Sequence, residues 1–493
     1  MSDGRPRPVS PDHPPARVES DSLGPVEIPA GAYWGAQTER SRLNFPIGRE
    51  RHLVPAAVVH ALGLVKLAAA DANHALGVLD ETRAAPIAAA AREVADGVWD
   101  RQFPLVVFQT GSGTHTNMNA NEVIANRAIE LAGGVIGSKT PVHPNDHVNR
   151  SQSSNDVIPT CMHVAVVSAV HARLLPALAR MRGALDAQAS AHAGLVKVGR
   201  THLQDAAPIT LGLEFDGWSA QVDQATAGIV RALEPVYELA LGATAVGTGL
   251  NAPERFGETA IARLASLTGH PFVPARQRLA AIAAHDALVG LSGSLRTLAG
   301  ALLKVANDIR WLGSGPRAGL GELVLPANEP GSSIMPGKIN PSQAEALTMV
   351  AVHVFGADHA VAFAGSQGSF ELNAYKPLIV HHLLDAVGVL AEACDSFVTR
   401  CLDGLSADEA AIARHLERSL VAAAALVPHI GYDRAAMIAL DAHRTGRTLR
   451  QSAVETHGIA AVDFDRWTRL DEAAGVTRRR QPEPAPRAPG RSP

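Results

Sequence analysis

The chain has 493 residues, long enough for two to four domains and a large buried core, with 44 basic residues against 48 acidic ones and a net charge of −4. So even a balance excludes a global field favouring nucleic acid or a membrane surface, and any preference for an anion has to be local. Cys161, Cys394 and Cys401 make no CxxC pair and no even-numbered framework, which fits buried, inert thiols in a reducing, cytoplasmic compartment better than a secreted disulfide scaffold.

Residues 1–17, "MSDGRPRPVSPDHPPAR", lack the apolar core of a secretory signal and read as a disordered tail. Residues 18–150 read as a domain of shorter helices and loops, opening with a possible strand pair in "VESDSLGPVEIP". From 151 to 404 the chain is rich in Ala and Leu, poor in aromatics, and carries helical apolar spacing over 156–192, 214–241, 285–310, 344–365 and 378–402, with Pro176 and Pro235 as expected kinks. The third of these is the clearest. Leu288, Leu291, Leu295, Leu298, Leu302, Val305 and Ile309 recur at alternating steps of three and four, an a/d seam that has to pack against other long helices. Gly290, Ser292, Gly293, Ser294 and Gly300 beside it allow neighbours to approach closely. Five long rods make a central bundle, so the fold class is all-α. In 405–477 Ser406 and Glu409 have the spacing of a capping box that starts a small helical domain, and 478–493 is a basic, Pro-rich tail. No run of about 18 uncharged apolar residues occurs, so no membrane span is expected.

Four polar stretches interrupt the helical pattern: "TGSGTHTNMNANE" (110–122), "HPNDHVNRSQSSND" (143–156), "GRTHLQDAAP" (199–208) and "GSSIMPGKINP" (331–341). Short hydroxyls and amides are what a carboxylate-binding site uses, because each supplies a directed donor without bulk. "SQSSND" reads equally as a helix N-cap, with Asn155 or Asp156 in that place, and His202 reads either as a satisfied core histidine or as a site residue. His143 and His147 have the spacing of a zinc pair, but Pro144 and Asn145 interrupt the helix it requires and no HExxH glutamate is present, so no metal site is expected. The last stretch superficially suggests a phosphate loop. Five residues separate Gly331 from Gly337, however, and Ile339 follows Lys338 where a Ser or Thr should stand.

In this order, over roughly residues 18 to 475, the four stretches resemble class II fumarase of the fumarase/aspartase superfamily, whose most characteristic signature is GSSIMPGKxNP; "AVGTGLN" and "FELNAYKP" resemble it too. Where the family has GQE, this chain has Gly212, Leu213 and Glu214. The resemblance implies a three-domain fold around a central five-helix bundle, assembled as a homotetramer with a twenty-helix core. It implies reversible anti hydration of fumarate to (S)-malate through an aci-carboxylate, with no cofactor, no metal and no nucleic-acid or membrane partner. Ser332 matches the family's abstracting base, and Lys338 and Asn340 match groups that hold the aci-carboxylate. His202 matches the residue that handles the proton of the departing hydroxyl, oriented by Glu345. Ser112, Thr114, Ser153, Ser154, Asn155 and Thr201 match the binders of the substrate carboxylates, and His143, Asn145 and Asp146 match a second anion site. The alternatives are an aspartate ammonia-lyase-like elimination on the same scaffold and a non-catalytic protein built on it.

Overall fold

The computed structural model describes residues 16–474. Strands β1 (Ala16–Asp21) and β2 (Gly24–Pro29) pair antiparallel, so the expected strand pair is present, and Ala16 and Arg17, assigned to the tail from the sequence, belong to it. Arg17 draws the chain in: its guanidinium donates to the carbonyls of Ala32 (2.6 Å) and Trp34 (2.8 Å) and pairs with Glu19 (2.7 Å). The rest of that tail, and the 478–493 tail, lie outside the described residues.

Helices α1 (Ala36–Asn44), α2 (Ala56–Ala75), α3 (Glu81–Ala95) and α4 (Thr114–Leu131) follow. Helix α5 (Ser154–Ala169) passes through a π turn, Val170–Leu174, directly into α6 (Leu175–Ala191), giving one rod of 38 residues. Pro176 stands just after the π turn, which supplies the irregularity a missing backbone N–H imposes on a helix. A hairpin of β3 (Val196–Thr201) and β4 (Gln204–Thr210) comes next, where the sequence reading had only a lead-in to a helix. Helix α7 (Leu211–Leu233) is ended, not kinked, by a 3-10 turn containing Pro235. Then come β5 (Glu238–Leu239), α8 (Phe256–Thr268), β6 (Val273–Pro274), which pairs with β5, and α9 (Arg278–Ala283). The remaining rods are α10 (Asp286–Leu312), α11 (Ser342–Gly365) and α12 (Lys376–Arg400), with β7 (Leu323–Val324) between the first two. Strand β8 (Ser406–Ala407) pairs with β7 and precedes α13 (Glu409–Arg418). The N-cap of α13 is Asp408, which accepts from Ala411 N at 2.8 Å. Ser406, expected as the cap, is held in β8 instead.

The chain divides into two compact units. One takes the chain up to Pro176 with Ala227–Thr297 and Val352–Ala391; the other takes Ala177–Thr226, Leu298–Ala351 and the chain from Glu392. In the second unit the rods bond side by side in a closed ring. Arg182 of α6 donates to Asp223 of α7 (2.6 Å), Trp218 of α7 to Asp308 of α10 (3.0 Å), and Ser396 of α12 to Gln343 of α11 (2.8 Å). Arg310 of α10 faces Glu345 of α11 at 4.0 Å, and Arg180 of α6 closes the ring onto Asp395 of α12 (2.7 Å). The predicted a/d seam of α10 is buried throughout, from Leu288 to Ile309, so apolar burial drives the ring and the polar bonds fix which rods are neighbours.

Among the described residues five helices are long and apolar enough to cross a membrane by length and composition. Helix α11 is the extreme case, with only 33 % of its most apolar window buried. Met349, Val352, Phe355 and Phe363 stand exposed on it, beside Asp358, which accepts from Ser292 (2.7 Å) and Arg296 (2.9 Å) of α10.

Candidate active site

In the first unit, the loop before α4 is fixed by close backbone contact. A Cβ at Gly111 would lie 1.5 Å from Ala374 O, and Gly111 O accepts from Lys376 N at 3.0 Å, so "TGSG" and "FELNAYKP" are pressed together at a point only glycine can occupy. Gly113 (φ 75°) then turns the chain into α4, and Ser112 Oγ and Thr114 Oγ1 share a hydrogen bond of 2.8 Å at its first turn.

Helix α5 starts in a capping box. Ser153 is the N-cap, accepting from Asn155 N (3.2 Å), and Asp156 reaches back to Ser153 N (2.9 Å). The cap reading of "SQSSND" and the site reading therefore fall on the same residues, with Ser153 rather than Asn155 or Asp156 as the cap. Asp156 is fully buried, and burial pushes its carboxyl up to about 6 against the opposing effect of its N–H donors. Its second oxygen accepts from Gly242 N and Thr244 N, both at 2.9 Å, which ties the "AVGTGLN" turn to the start of α5. Asn155 donates to Ala245 O of that turn at 2.8 Å. Ser153, Ser154, Thr244 and Asn251 line a cavity of about 360 Å³.

Behind this cavity lies a set of residues that sequence reasoning missed. Lys66 Nζ donates to Asn149 Oδ1 (3.0 Å) and Gln152 Oε1 (2.9 Å), and Asn117 Nδ2 donates to Asn149 Oδ1 (3.1 Å) and Ser154 Oγ (2.9 Å). Burial pushes the Lys66 ammonium down to about 7. A lysine inside the apolar run "LVKLAAADA" was the available signal, since an unpaired cation on a core-facing helix is rare.

His143, Asn145 and Lys139 line a separate cavity of about 280 Å³ in the same unit. Residues 144–148 form one π turn, so Pro144 does not break the helix between His143 and His147: it occupies the first position, where no N–H is needed. His143 Nδ1 accepts from the N–H of Asn145 and of Asp146, both at 3.2 Å, and His147 Nδ1 accepts from His143 N at 2.8 Å.

The second unit holds Thr201, His202, Ser332, Lys338, Asn340 and Glu345. His202 and Leu203 form the two-residue turn of the β3–β4 hairpin, at φ 56° and 60°. This conformation is normally left to Asn or Gly, and a branched Leu adopts it only under strain. The hairpin is anchored from below. Lys197 Nζ contacts Glu214 (2.8 Å) and Glu322 (3.1 Å), and Arg200 pairs with Glu322 (2.6 Å). Lys197 and Arg200 would point to opposite faces of a regular strand. A register slip between Gly199 and Arg200 adds local twist that lets both reach one carboxylate. Burial raises the Glu322 carboxyl, but Arg200 and Lys197 outweigh it and hold it below its usual range; at Glu214 burial prevails over Lys197 and the carboxyl rises.

The 331–341 loop is closed by its own atoms. Gly331 N donates to Lys338 O (2.9 Å), and Asn340 Nδ2 donates to Gly331 O (2.7 Å). Ser332 Oγ accepts from the N–H groups of Ile334 (3.2 Å) and Met335 (3.1 Å). Lys338 has no ion-pair partner among the described residues. Glu345 lies in the first turn of α11, and within the described residues no hydrogen bond joins it to His202. An N–H pair aimed at a serine hydroxyl can stabilise an alkoxide or a developing oxyanion.

Comparison with known proteins gives these parts a context. The family model described as "Lyase" matches residues 24–356, and that described as "Fumarase C C-terminus" matches 423–472. A fumarate hydratase class II of Thermosynechococcus vestitus is 60% identical over 93% of this chain and 98% of its own length, and one of Pseudomonas syringae is 56% identical over 93% and 98%. The crystal structure of a class II fumarase from Schistosoma mansoni superposes with a TM-score of 0.91 at 41% identity, covering 93% of this chain and 99% of that one.

Proposed function

The chain belongs to the class II fumarate hydratase family, and we propose that it interconverts fumarate and (S)-malate with Ser332 as the base at C3 of malate and His202 as the acid at the departing C2 hydroxyl. The observation that carries this reading is the pair of N–H groups on Ser332 Oγ at 3.2 and 3.1 Å. A serine hydroxyl is a poor base in water. Two fixed dipoles, with the charge of Lys338 carried on the same loop, stabilise its alkoxide and so bring its proton affinity towards the working range.

Abstraction of the C3 proton places a second negative charge on the neighbouring carboxylate, which becomes an aci-carboxylate. The charge of Lys338 and the backbone of this glycine-containing loop supply preorganised stabilisation for it. Asn340 acts by bracing the loop through Gly331 O and presents its remaining amide hydrogen. On the opposite face the C2–O bond breaks as His202 donates a proton to the leaving oxygen, and Glu345 sets the tautomer of the imidazole. Ser112, Thr114, Ser153, Ser154, Asn155 and Thr201 bind the two carboxylates, and His143, Asn145 and Asp146 form a second anion site. The named relatives are hydratases, which speaks against release of ammonia from aspartate as the main reaction.

A homotetramer completes the site. The exposed apolar residues of α11 call for a cover, and Asp358, His353 and His359 on the same helix favour protein over lipid. A Cβ at Gly290, Gly293 or Gly356 would meet nothing within 4 Å in the single chain, so room is left for another helix at close range. In such an assembly His202 and Glu345 of different chains can meet.

Conversion of malate to fumarate, followed by ultraviolet absorbance, tests the assignment. Ser332→Ala should lower turnover by about 10² to 10⁴ with unchanged thermal unfolding, and near-normal turnover would remove Ser332 from the mechanism. Co-refolding Ser332→Ala with His202→Asn should restore activity at roughly a quarter of the sites if each site draws the two residues from different chains. No gain over either parent would mean they come from one chain.

A further inference from the structure

Lys66 lies within α2 with its side chain fully buried, and among the described residues no carboxylate stands within ion-pair distance of Nζ. Asp156, the acid that acts on it through space, has its oxygens committed to the N–H groups of Ser153, Gly242 and Thr244. A buried ammonium without a counter-ion is costly, and a fold keeps one only where something offsets the cost. Packing alone does not: an apolar side chain of the same length would fill the space at less expense.

The hydrogen bonds show where the charge is directed. Nζ donates to the side-chain oxygens of Asn149 (3.0 Å) and Gln152 (2.9 Å), and both residues line the 360 Å³ cavity with Ser153 and Ser154. Asn149 Oδ1 also accepts from Asn117 and Asn121, each at 3.1 Å, so it has no lone pair left to turn towards the cavity. Ser154 Oγ accepts from Asn117 at 2.9 Å, which leaves its hydroxyl hydrogen free to donate. Thr244 Oγ1, also on the cavity wall, is buried with no hydrogen-bond partner. Both amide hydrogens of Gln152 are taken by Val148 O and Arg150 O, and one of Asn149 by Gln152 O, so the donors left for the space are the hydroxyls of Ser154 and Thr244 and the second amide hydrogen of Asn149, as suits a carboxylate.

We propose that Lys66 is a specificity-determining positioning residue which, acting through Asn149 and Gln152, sets this cavity to hold one substrate carboxylate in its ionised form. The proposal rests on the dicarboxylate reading above. The bound carboxylate is the missing counter-ion: it lies one shell away from the ammonium, beyond the side chains of Asn149 and Gln152 that Lys66 fixes, in surroundings where a charge is weakly screened. Because this attraction acts alike on bound substrate and transition state, it lowers KM without raising kcat.

Steady-state kinetics on malate and inhibition by succinate test this with two uncharged variants. Lys66→Gln can still donate a hydrogen bond to the side-chain oxygen of Asn149 or Gln152, and Lys66→Met fills the space without a hydrogen-bonding group, so at least one is expected to fold. Thermal unfolding checks which. A folded variant should show KM for malate and the succinate inhibition constant raised on the order of tenfold, with kcat within about twofold of the parent, and Lys66→Arg, where it folds, should recover most of the affinity. Unchanged KM and succinate inhibition in a folded uncharged variant, or a loss confined to kcat, would overturn the proposal and leave Lys66 a packing residue. An unmodified protein that fails to interconvert malate and fumarate would count against the functional reading instead, and calorimetric titration with succinate would still report on Lys66.

Discussion

Ser154, the first residue of α5, and Ser332, within the 331–341 loop, both accept hydrogen bonds at Oγ, but from different sources. Ser154 receives its bond from Asn117, a fully buried side chain of α4 that is itself tied to Asn149 and thereby to Lys66. Ser332 receives its bonds from N–H groups two and three residues further along its own loop. The cavity proposed to bind a carboxylate is therefore continuous with the core of the first unit, whereas the 331–341 loop is closed by contacts within itself. The two arrangements suit different tasks. A carboxylate pocket gains from rigidity in every state, while a loop that has to surround a reacting carbon needs to open for exchange. Substitutions should sort accordingly: those in the first half should act on folding and binding, those in the loop on turnover.

The largest effect is expected at Gly111. A Cβ 1.5 Å from Ala374 O cannot be relieved by rotating a side chain, because both partners are backbone. Gly111→Ala should cost more than about 4 kcal/mol and leave little folded protein, as read by urea denaturation and by soluble yield. A Gly111→Ala protein with a near-parental midpoint would show that the two segments can separate and that the binding half is not rigid.

Glu322→Gln comes next. It leaves Lys197, 1 % exposed, with Glu214 as its remaining carboxylate, and takes from Arg200 the carboxylate it pairs with. Removing one partner from a buried ion-pair network costs about 3 to 5 kcal/mol. The hairpin that carries His202 should lose its anchorage in the same step, so kcat should fall along with the urea midpoint. A lowered midpoint with kcat intact would separate the network from the catalytic turn and make it purely structural.

How much of this could be read in the sequence follows the same division. The rods were legible because apolar residues repeat at helical steps, and the seam from Leu288 to Ile309 is buried as that pattern requires. The loop was legible because GSSIMPGKINP fits no regular element. Lys66 was not, since periodicity tells which face turns inward and says nothing about a polar atom reaching a partner 83 residues away. The β3–β4 hairpin was missed because "VKVGRT" mixes Lys, Gly and Arg and its turn, His202–Leu203, lacks the Asn-Gly type of signal a two-residue loop usually carries. Ser406 was misread for a related reason: a capping-box spacing was present, but strand pairing with β7 claimed the residue.

The smallest effect on stability is expected at Gly337. Its φ is 79° and a Cβ there would meet nothing within 4 Å, so Gly337→Ala introduces backbone strain alone, about 1 to 2 kcal/mol for an alanine in the left-handed region. Where that strain is expressed depends on how the loop is held. The bonds that close it, Gly331 N to Lys338 O and Asn340 Nδ2 to Gly331 O, lie within the loop, so it can open without disturbing the helix ring of the second unit. Strain confined to a segment that opens locally shifts the open–closed balance of that segment and leaves global unfolding almost unchanged. The urea midpoint should therefore stay within error of the parent, while kcat falls about tenfold as the closed loop becomes the minor form. Succinate binding should weaken less than kcat, since the Ser153–Ser154 cavity is untouched. Were the midpoint to drop by the full strain energy with kcat unchanged, the loop would be as firmly joined to its unit as Ser154 is to α4, and the contrast between the two halves would disappear.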